Sequence, residues 1–528
     1  MQKSVVAASG FIFLFCVSAQ SQNTQAPNMF NVLSWSSVFN QTVYNANGAP
    51  IGTLGQTVPN VYAFGANGAT RSLAQVGATL PIPGFQIDTT LLQLNNAINT
   101  NIATALGVIP LASPAAGVIF QTDPTTGAAL PVTSTLGPVF TERAETIGKN
   151  RWYIGFTHED FHFSSLNGHS LNGLQVLYPG GTPSGITNLQ TNAAPLLAYP
   201  ATFNIGMDVR LSQDVAFITY GVTNRFDISV GLPMVHAAVA ARTYNGILYD
   251  GDGLGTQTGG AVANPNCWCA GTFNPGAYVS PAVNFTEPNI GQSSLSKTGF
   301  GDMLARLKGT ILNTPHAAVA VGADLRFATG DEKNYLGTGT TSVRPFVAVS
   351  LPTDVLAHGI VFAPHLNLAY QYSGKSILGG QLIPSQLSAS MTDGSGSVTY
   401  QGAPLTATKG YLPDVFSWAL GSEVAFGRHN TFVVDFLGNE IGWVHGSPDL
   451  VTSMAQGFLP TAPFASTTVS GLTSTPNHTI SYSQYSGAFG YKARLIGNLV
   501  FTFNALVRFD NNGLTDRFVP LYGLGYSF

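Results

Sequence analysis

The chain has 528 residues, 9% of them charged and 45% hydrophobic, against roughly 25% charged in an ordinary soluble domain. Its 21 basic and 25 acidic residues are too few for a polar shell at this size. A mean hydropathy of +0.19 is too low for a polytopic helical membrane protein, and 59 Gly with 31 Pro oppose a largely helical chain. A net charge of −4 offers nucleic acid no attraction, and 33 Phe, 19 Tyr and 5 Trp supply too much to bury for a disordered chain.

In chain order, the first element has the form of a secretory signal. Lys3 supplies the positive start, Val5 to Val17 form an uncharged apolar run, and the small residues Ser18, Ala19 and Ser21 offer cleavage sites. Segment 1–21 is thus expected to be removed after Sec export. Downstream, no stretch has the ~20 uninterrupted apolar residues of a membrane-spanning helix. The nearest, 103–120, contains Gly107, Pro110, Pro114 and Gly117. An exported apolar chain without such a helix can still enter a bilayer by closing a sheet, which satisfies every backbone group internally.

Residues 22–150 form a low-charge extension, with Arg71, Asp88 and Asp123 its only charges between 23 and 140. Leu91, Leu92, Leu94, Ile98, Ile102 and Leu106 recur at near-helical spacing and predict one short helix. The extension is either periplasmic, its helix packed on its own surroundings or a rim, or a plug folded into a lumen.

From 151 to 528 the apolar residues alternate. Ile205, Met207, Val209 and Leu211 interleave with Gly206, Asp208, Arg210 and Ser212; Phe501, Phe503, Ala505 and Val507 interleave with Thr502, Asn504, Leu506 and Arg508. Period two sends successive side chains to opposite faces. Twelve strands are expected, near 151–164, 203–220, 225–241, 298–312, 316–328, 342–353, 359–374, 412–427, 430–445, 478–493, 498–510 and 517–528. Tight turns alternate with long connections, so all long loops fall on one side. The predicted fold is all-β: an antiparallel transmembrane β-barrel of about twelve strands behind an irregular N-terminal extension. Phe518, Tyr522, Leu524, Tyr526 and Phe528 alternate to the last residue. A terminal Phe528 has the form of the signal read by the outer-membrane assembly machinery, an expected partner alongside outer-membrane lipid.

With the apolar face on lipid, the other face lines the lumen. The expected inward-facing set is Asp208, Arg210, Arg225, Asp227, Arg306, Lys308, Asp324, Arg326, Arg344, Glu423, Asp435, Lys492, Arg494 and Arg508. These charges either pair with one another or form a basic ladder favouring anionic solutes.

Several stretches resemble one family. They are Tyr220 to Pro233 (YGVTNRFDISVGLP), Gly299 to Asp302, Phe327 to Thr340 followed by Arg344-Pro345-Phe346, Pro364 to Leu368, Leu412 to Asp414, and the lead-in Leu136 to Gly148. They are similar to the outer-membrane group labelled meta-pathway of phenol degradation, over about residues 136 to 528. The resemblance implies a channel for small, aromatic compounds and assigns no catalytic residue.

Other chemistry is poorly supported. Cys267 and Cys269 form a Cys-Trp-Cys whose first reading is a tight disulfide, with no histidine close in sequence to complete a metal site. Asp250 to Gly253 lacks the distal acid of a calcium loop, and Gly337-Thr338-Gly339 lacks the lysine of a phosphate loop. No Gly-x-Ser-x-Gly elbow occurs. The expectation is no enzyme, no cofactor and no metal. The expected function is an outer-membrane channel of a Gram-negative-type bacterium for passive uptake or efflux of small solutes, aromatic or anionic compounds among them; the alternative is a non-conducting structural or adhesive barrel acting through its long surface loops.

Overall fold

The computed structural model describes residues 29–31, 83–109, 135–178, 201–249, 291–314, 317–351, 360–384, 405–427, 429–446 and 478–528, together with short strands between them. The signal segment 1–21, Cys267 and Cys269, and the Asp250 to Gly253 turn lie outside the described residues.

Twelve antiparallel strands close a barrel. They are β1 (Trp152–Phe163), β2 (Ala201–Thr223), β3 (Phe226–Tyr249), β4 (Gly291–Phe300 and Met303–Asn313), β5 (Ala318–Phe327), β6 (Ser342–Ser350), β7 (Ile360–Ser373), β8 (Val415–Phe426), β9 (Asn430–His445), β10 (Thr479–Arg494), β11 (Leu499–Arg508) and β12 (Phe518–Ser527). Closure comes from β12 on β1, with Leu521 opposite Glu159 and Ser527 opposite Tyr153. Phe528 and Trp152 then exchange two backbone hydrogen bonds of 2.9 Å at the short-turn end.

Alternation decides which face meets what. Ile154, Phe156, Ile218, Leu232, Val347, Leu368, Leu420, Phe489 and Leu524 point outward and stay exposed. Trp152, Phe426, Phe432, Tyr526 and Phe528 ring the short-turn end, and Phe327, Tyr372, Phe416, Tyr485, Phe509 and Phe518 ring the other. An apolar band between two aromatic girdles is the outer surface of a membrane-spanning barrel. No described helix is long and apolar enough to cross a membrane.

The helix is longer than the sequence pattern predicts. α1 spans Pro83–Val108, begins on a proline suited to a first helical position, and stops ahead of Pro110. Between Leu94 and Leu106 its described residues are buried almost all round, so its polar positions need partners. Asn95 and Asn99 donate to Phe30 O at 2.8 and 3.0 Å, and Thr100 Oγ1 donates to Leu378 O at 3.1 Å. Tyr335, in the connection after β5, donates its buried hydroxyl to Met29 O at 2.9 Å. Residues 29–30 and the first described turns of α1 therefore sit at the long-loop end. Leu106 O, near the helix C-terminus, accepts from Arg326 Nη1 at 2.7 Å, inside the barrel.

This placement corrects one part of the expected lumen. Asp208 and Arg210 point outward, paired at 2.9 Å, with His162 Nε2 3.2 Å from the same carboxylate. The inward residues of that stretch are Ile205, Met207, Val209 and Leu211, packed in one core with Ile98, Ile102 and Leu106. The cause is length. At 23 residues β2 is well beyond the 9–11 a strand needs to cross. Above the apolar band water lies outside and α1 inside, so the apolar face turns inward.

Candidate functional site

The lower lumen is filled by residues 135–148. Gly137 (φ 90°) and Gly148 (φ 97°) take left-handed turns at either end of an arch, which L side chains resist. The chain then leaves at the short-turn end, where Asn150 N donates to Gly221 O at 2.7 Å. An irregular segment makes no ladder, so its backbone groups must find side chains. Leu136 N donates to Thr431 Oγ1 (3.1 Å), Gly137 N to Glu423 Oε2 (2.9 Å), Ala144 N to Ser350 Oγ (2.9 Å) and Ile147 N to Asp227 Oδ2 (2.9 Å). In return Lys492 Nζ donates to Pro138 O (2.6 Å), Asn367 Nδ2 to Glu142 O (2.8 Å) and Lys308 Nζ to Glu145 O (2.8 Å). Strands on opposite sides of the barrel grip one arch.

Two ionic clusters lock it. Glu142 pairs with Arg306 Nη1 at 2.6 Å and Lys308 Nζ at 2.7 Å, while Arg306 Nε also meets Asp324 Oδ1 at 2.6 Å. Across the arch Arg143 makes a two-pronged contact with Glu423, its Nε 2.9 Å from Oε1 and its Nη2 on Oε2. Asp435 accepts from Thr141 Oγ1 at 3.0 Å and faces His365 Nε2 at 3.2 Å. Buried charges at this density are tolerable only when each is paired and hydrogen-bonded.

Above the arch lies a chamber of about 130 Å³. Phe140 and Glu142 form part of its floor, and Ala105, Gly107 and Val108 of α1 with the following Ile109 part of its roof; Arg306, Arg326, Arg344 and Arg508 line it with Phe161, Phe163, Phe346, Leu437 and Leu506. Arg344 is the least committed of these. Its side chain is 37% exposed, its Nη1 lies 3.8 Å from Asp324 Oδ2, and its Nε has no hydrogen-bond partner among the described residues. Arg508 Nε leans on Asp510 at 3.4 Å, and Arg306 stands 5.2 Å over the Phe346 ring.

Of the expected lining, Asp227, Arg306, Lys308, Asp324, Glu423, Asp435 and Lys492 converge on the arch, while Arg326, Arg344 and Arg508 face the chamber. Arg494 closes β10 at the short-turn rim, its N donating to His429 O at 2.8 Å. Arg225 stands exposed at the β2–β3 turn. Sequence reasoning missed Glu142 and Arg143 as site residues. Their signal was available: Glu142, Arg143 and Glu145 are a sudden charge cluster after more than a hundred nearly uncharged residues. Among the described residues no group of three His, Cys, Asp or Glu could hold a metal ion.

Glu159 was also missed. It points inward from β1, is 2% exposed, and neither carboxylate oxygen has a hydrogen-bond partner among the described residues. Gln213, its register partner on β2, likewise leaves Nε2 unpaired. Glu159→Gln is expected to raise the thermal midpoint by a few degrees, since a buried unmatched carboxylate costs about 1–3 kcal/mol or more. A lowered midpoint in a thermal melt would show that the charge has a partner in solution.

No protein-family model matches the chain and no curated protein does, so the phenol-degradation label has no support from them. Solved structures are similar in shape. The COG4313 outer membrane channel from Pseudomonas putida F1 is 10% identical with a TM-score of 0.35, over 73% of this chain and 98% of that one. A Pseudomonas aeruginosa FadL homologue is 9% identical with a TM-score of 0.28, over 80% and 98%. The Ralstonia pickettii toluene transporter TbuX is 10% identical with a TM-score of 0.28, over 72% and 90%. These are distant likenesses, and what this barrel does has to follow from its own residues.

Proposed function

We propose that the protein is an outer-membrane channel of a Gram-negative envelope that takes small anionic, aromatic solutes into a chamber and is narrowed beneath it by its own segment 135–148. The carrying observation is the chamber lining. Arg344 lines the chamber with a side chain 37% exposed and held only by a 3.8 Å approach to Asp324, together with Phe346, Phe161 and Phe163, so its guanidinium suits a carboxylate or phenolate and the aromatic lining an apolar ring. Arg306, Arg326, Arg344 and Arg508 against Glu142, Asp324 and Asp516 leave the lining with a small basic excess, which favours anions over cations. The short-turn end is then periplasmic.

Liposome swelling tests this reading. Proteoliposomes should swell faster in benzoate-type acids than in neutral sugars of similar size, and Arg344→Ala should shrink that difference several-fold. Equal, negligible swelling in every solute would instead support the non-conducting barrel, a reading that the filled lower lumen favours.

A further inference from the structure

We infer that the chain threads its own barrel, so that its N-terminal region emerges at the cell surface while its C-terminus stays periplasmic. An even number of strands ordinarily leaves both chain ends on the short-turn side. Here Trp152 and Phe528 do meet at that end. Residues 135–148 also belong to it, since Leu136 N reaches Thr431 Oγ1 and Thr146 Oγ1 reaches Asn224 O at 2.9 Å, both beside short turns.

The chain just before lies at the other end. Leu106 O is held by Arg326, one residue from the top of β5. Further back, Thr100 is bonded to Leu378 and Asn99 to Phe30 and Tyr335, and Leu378 and Tyr335 belong to long connections after β7 and β5. Residues 57–59 add a strand to the hairpin at 397–401 in the same long connection. The wall is closed all round, and Ile109 already stands within it among Gln213, Val215, Leu304 and Arg326, so the lumen is the route from there to Thr135 that avoids lipid. Met29 and Phe30 are thus delivered to the long-loop side, a few residues from the expected cleavage site. The lumen thus serves as the path by which Met29, Phe30 and α1 reach the long-loop side.

This rests on the proposed outer-membrane orientation, and the experiment separates the two. A FLAG epitope is inserted in the full chain after residue 24, in a second variant at residue 394 of the long β7–β8 connection, and in a third at residue 428 of the β8–β9 turn. Antibody is applied to intact and to permeabilised cells. The expected result is labelling of the first two on intact cells and of the third only after permeabilisation. Labelling at 394 but not at 24 on intact cells overturns the threading. Labelling at neither overturns the orientation and the threading with it. Should the insertion after residue 24 abolish heat-modifiable gel mobility, intact cells expressing the unaltered chain are shaved with proteinase K. Loss of peptides preceding residue 83, with peptides spanning residue 428 retained, supports the threading; retention of both overturns it.

Discussion

Arg143→Ala should unlock the lower lumen, raising single-channel conductance in planar bilayers several-fold while lowering the stability of the folded barrel. Arg143 is 4% exposed and Glu423 fully buried. Removing the guanidinium leaves Glu423 with the Gly137 amide at 2.9 Å and His365 Nδ1 at 4.0 Å. Breaking a buried pair from one side costs about 3–5 kcal/mol, because the remaining charge stays desolvated. The arch can escape that cost and the barrel cannot: twelve strands hold Glu423 in place, whereas residues 135–148 are held by side-chain contacts alone. The favourable response is for the arch to leave and water to enter. Conductance follows because resistances along a pore add, and the filled stretch dominates the sum. Arg143→Lys should recover only part of the closure, since an ammonium keeps the charge but not the two-pronged fork. A folded Arg143→Ala barrel with wild-type conductance would show that the arch is held by something other than this pair.

Legibility in the sequence followed the neighbour of each face. From β4 to β12 the outside is lipid, so alternation assigns side correctly, and Arg306, Lys308, Asp324, Arg344, Glu423, Asp435 and Lys492 point inward as expected. In the upper part of β2 the same alternation assigns the wrong side, because Val209 and Leu211 meet α1 within while Arg210 meets water without. Period two states that two faces differ; it does not state which is inside. Strand count and loop polarity were readable because turn spacing is local. The partners of the lumen charges were not. Glu142 lies 164 residues from Arg306, and Arg143 lies 280 from Glu423, and composition carries no information about pairings at that range. Of the basic residues that pointed to an open ladder, Arg306, Lys308 and Lys492 are engaged by an arch whose residues come before the strand pattern begins.

Ile98→Asp with Ile102→Asp should detach α1 and loosen the long-loop half of the barrel, yet leave conductance near the wild-type value. Both side chains are nearly fully buried, at 3% and 4% exposure, in the core formed with Ile205, Val209, Leu211, Val235 and Val239. A carboxylate placed there has no cation to meet and costs several kcal/mol, so two exceed what about 1.5–3 kcal/mol per buried aliphatic residue holds together. Once α1 leaves, Tyr335 loses the Met29 carbonyl and the Asn99 amide, and Leu378 loses the Thr100 hydroxyl. Limited proteolysis should then cut the connections after β5 and β7 at least ten times faster. The arch does not share these contacts: its ties run to Glu423, Asp435, Lys308 and Lys492, below the chamber. Because the filled arch remains the larger resistance, widening the roof changes the current little. A several-fold rise in conductance would place the barrier at α1, and the closing role assigned to Glu142 and Arg143 would fall with it.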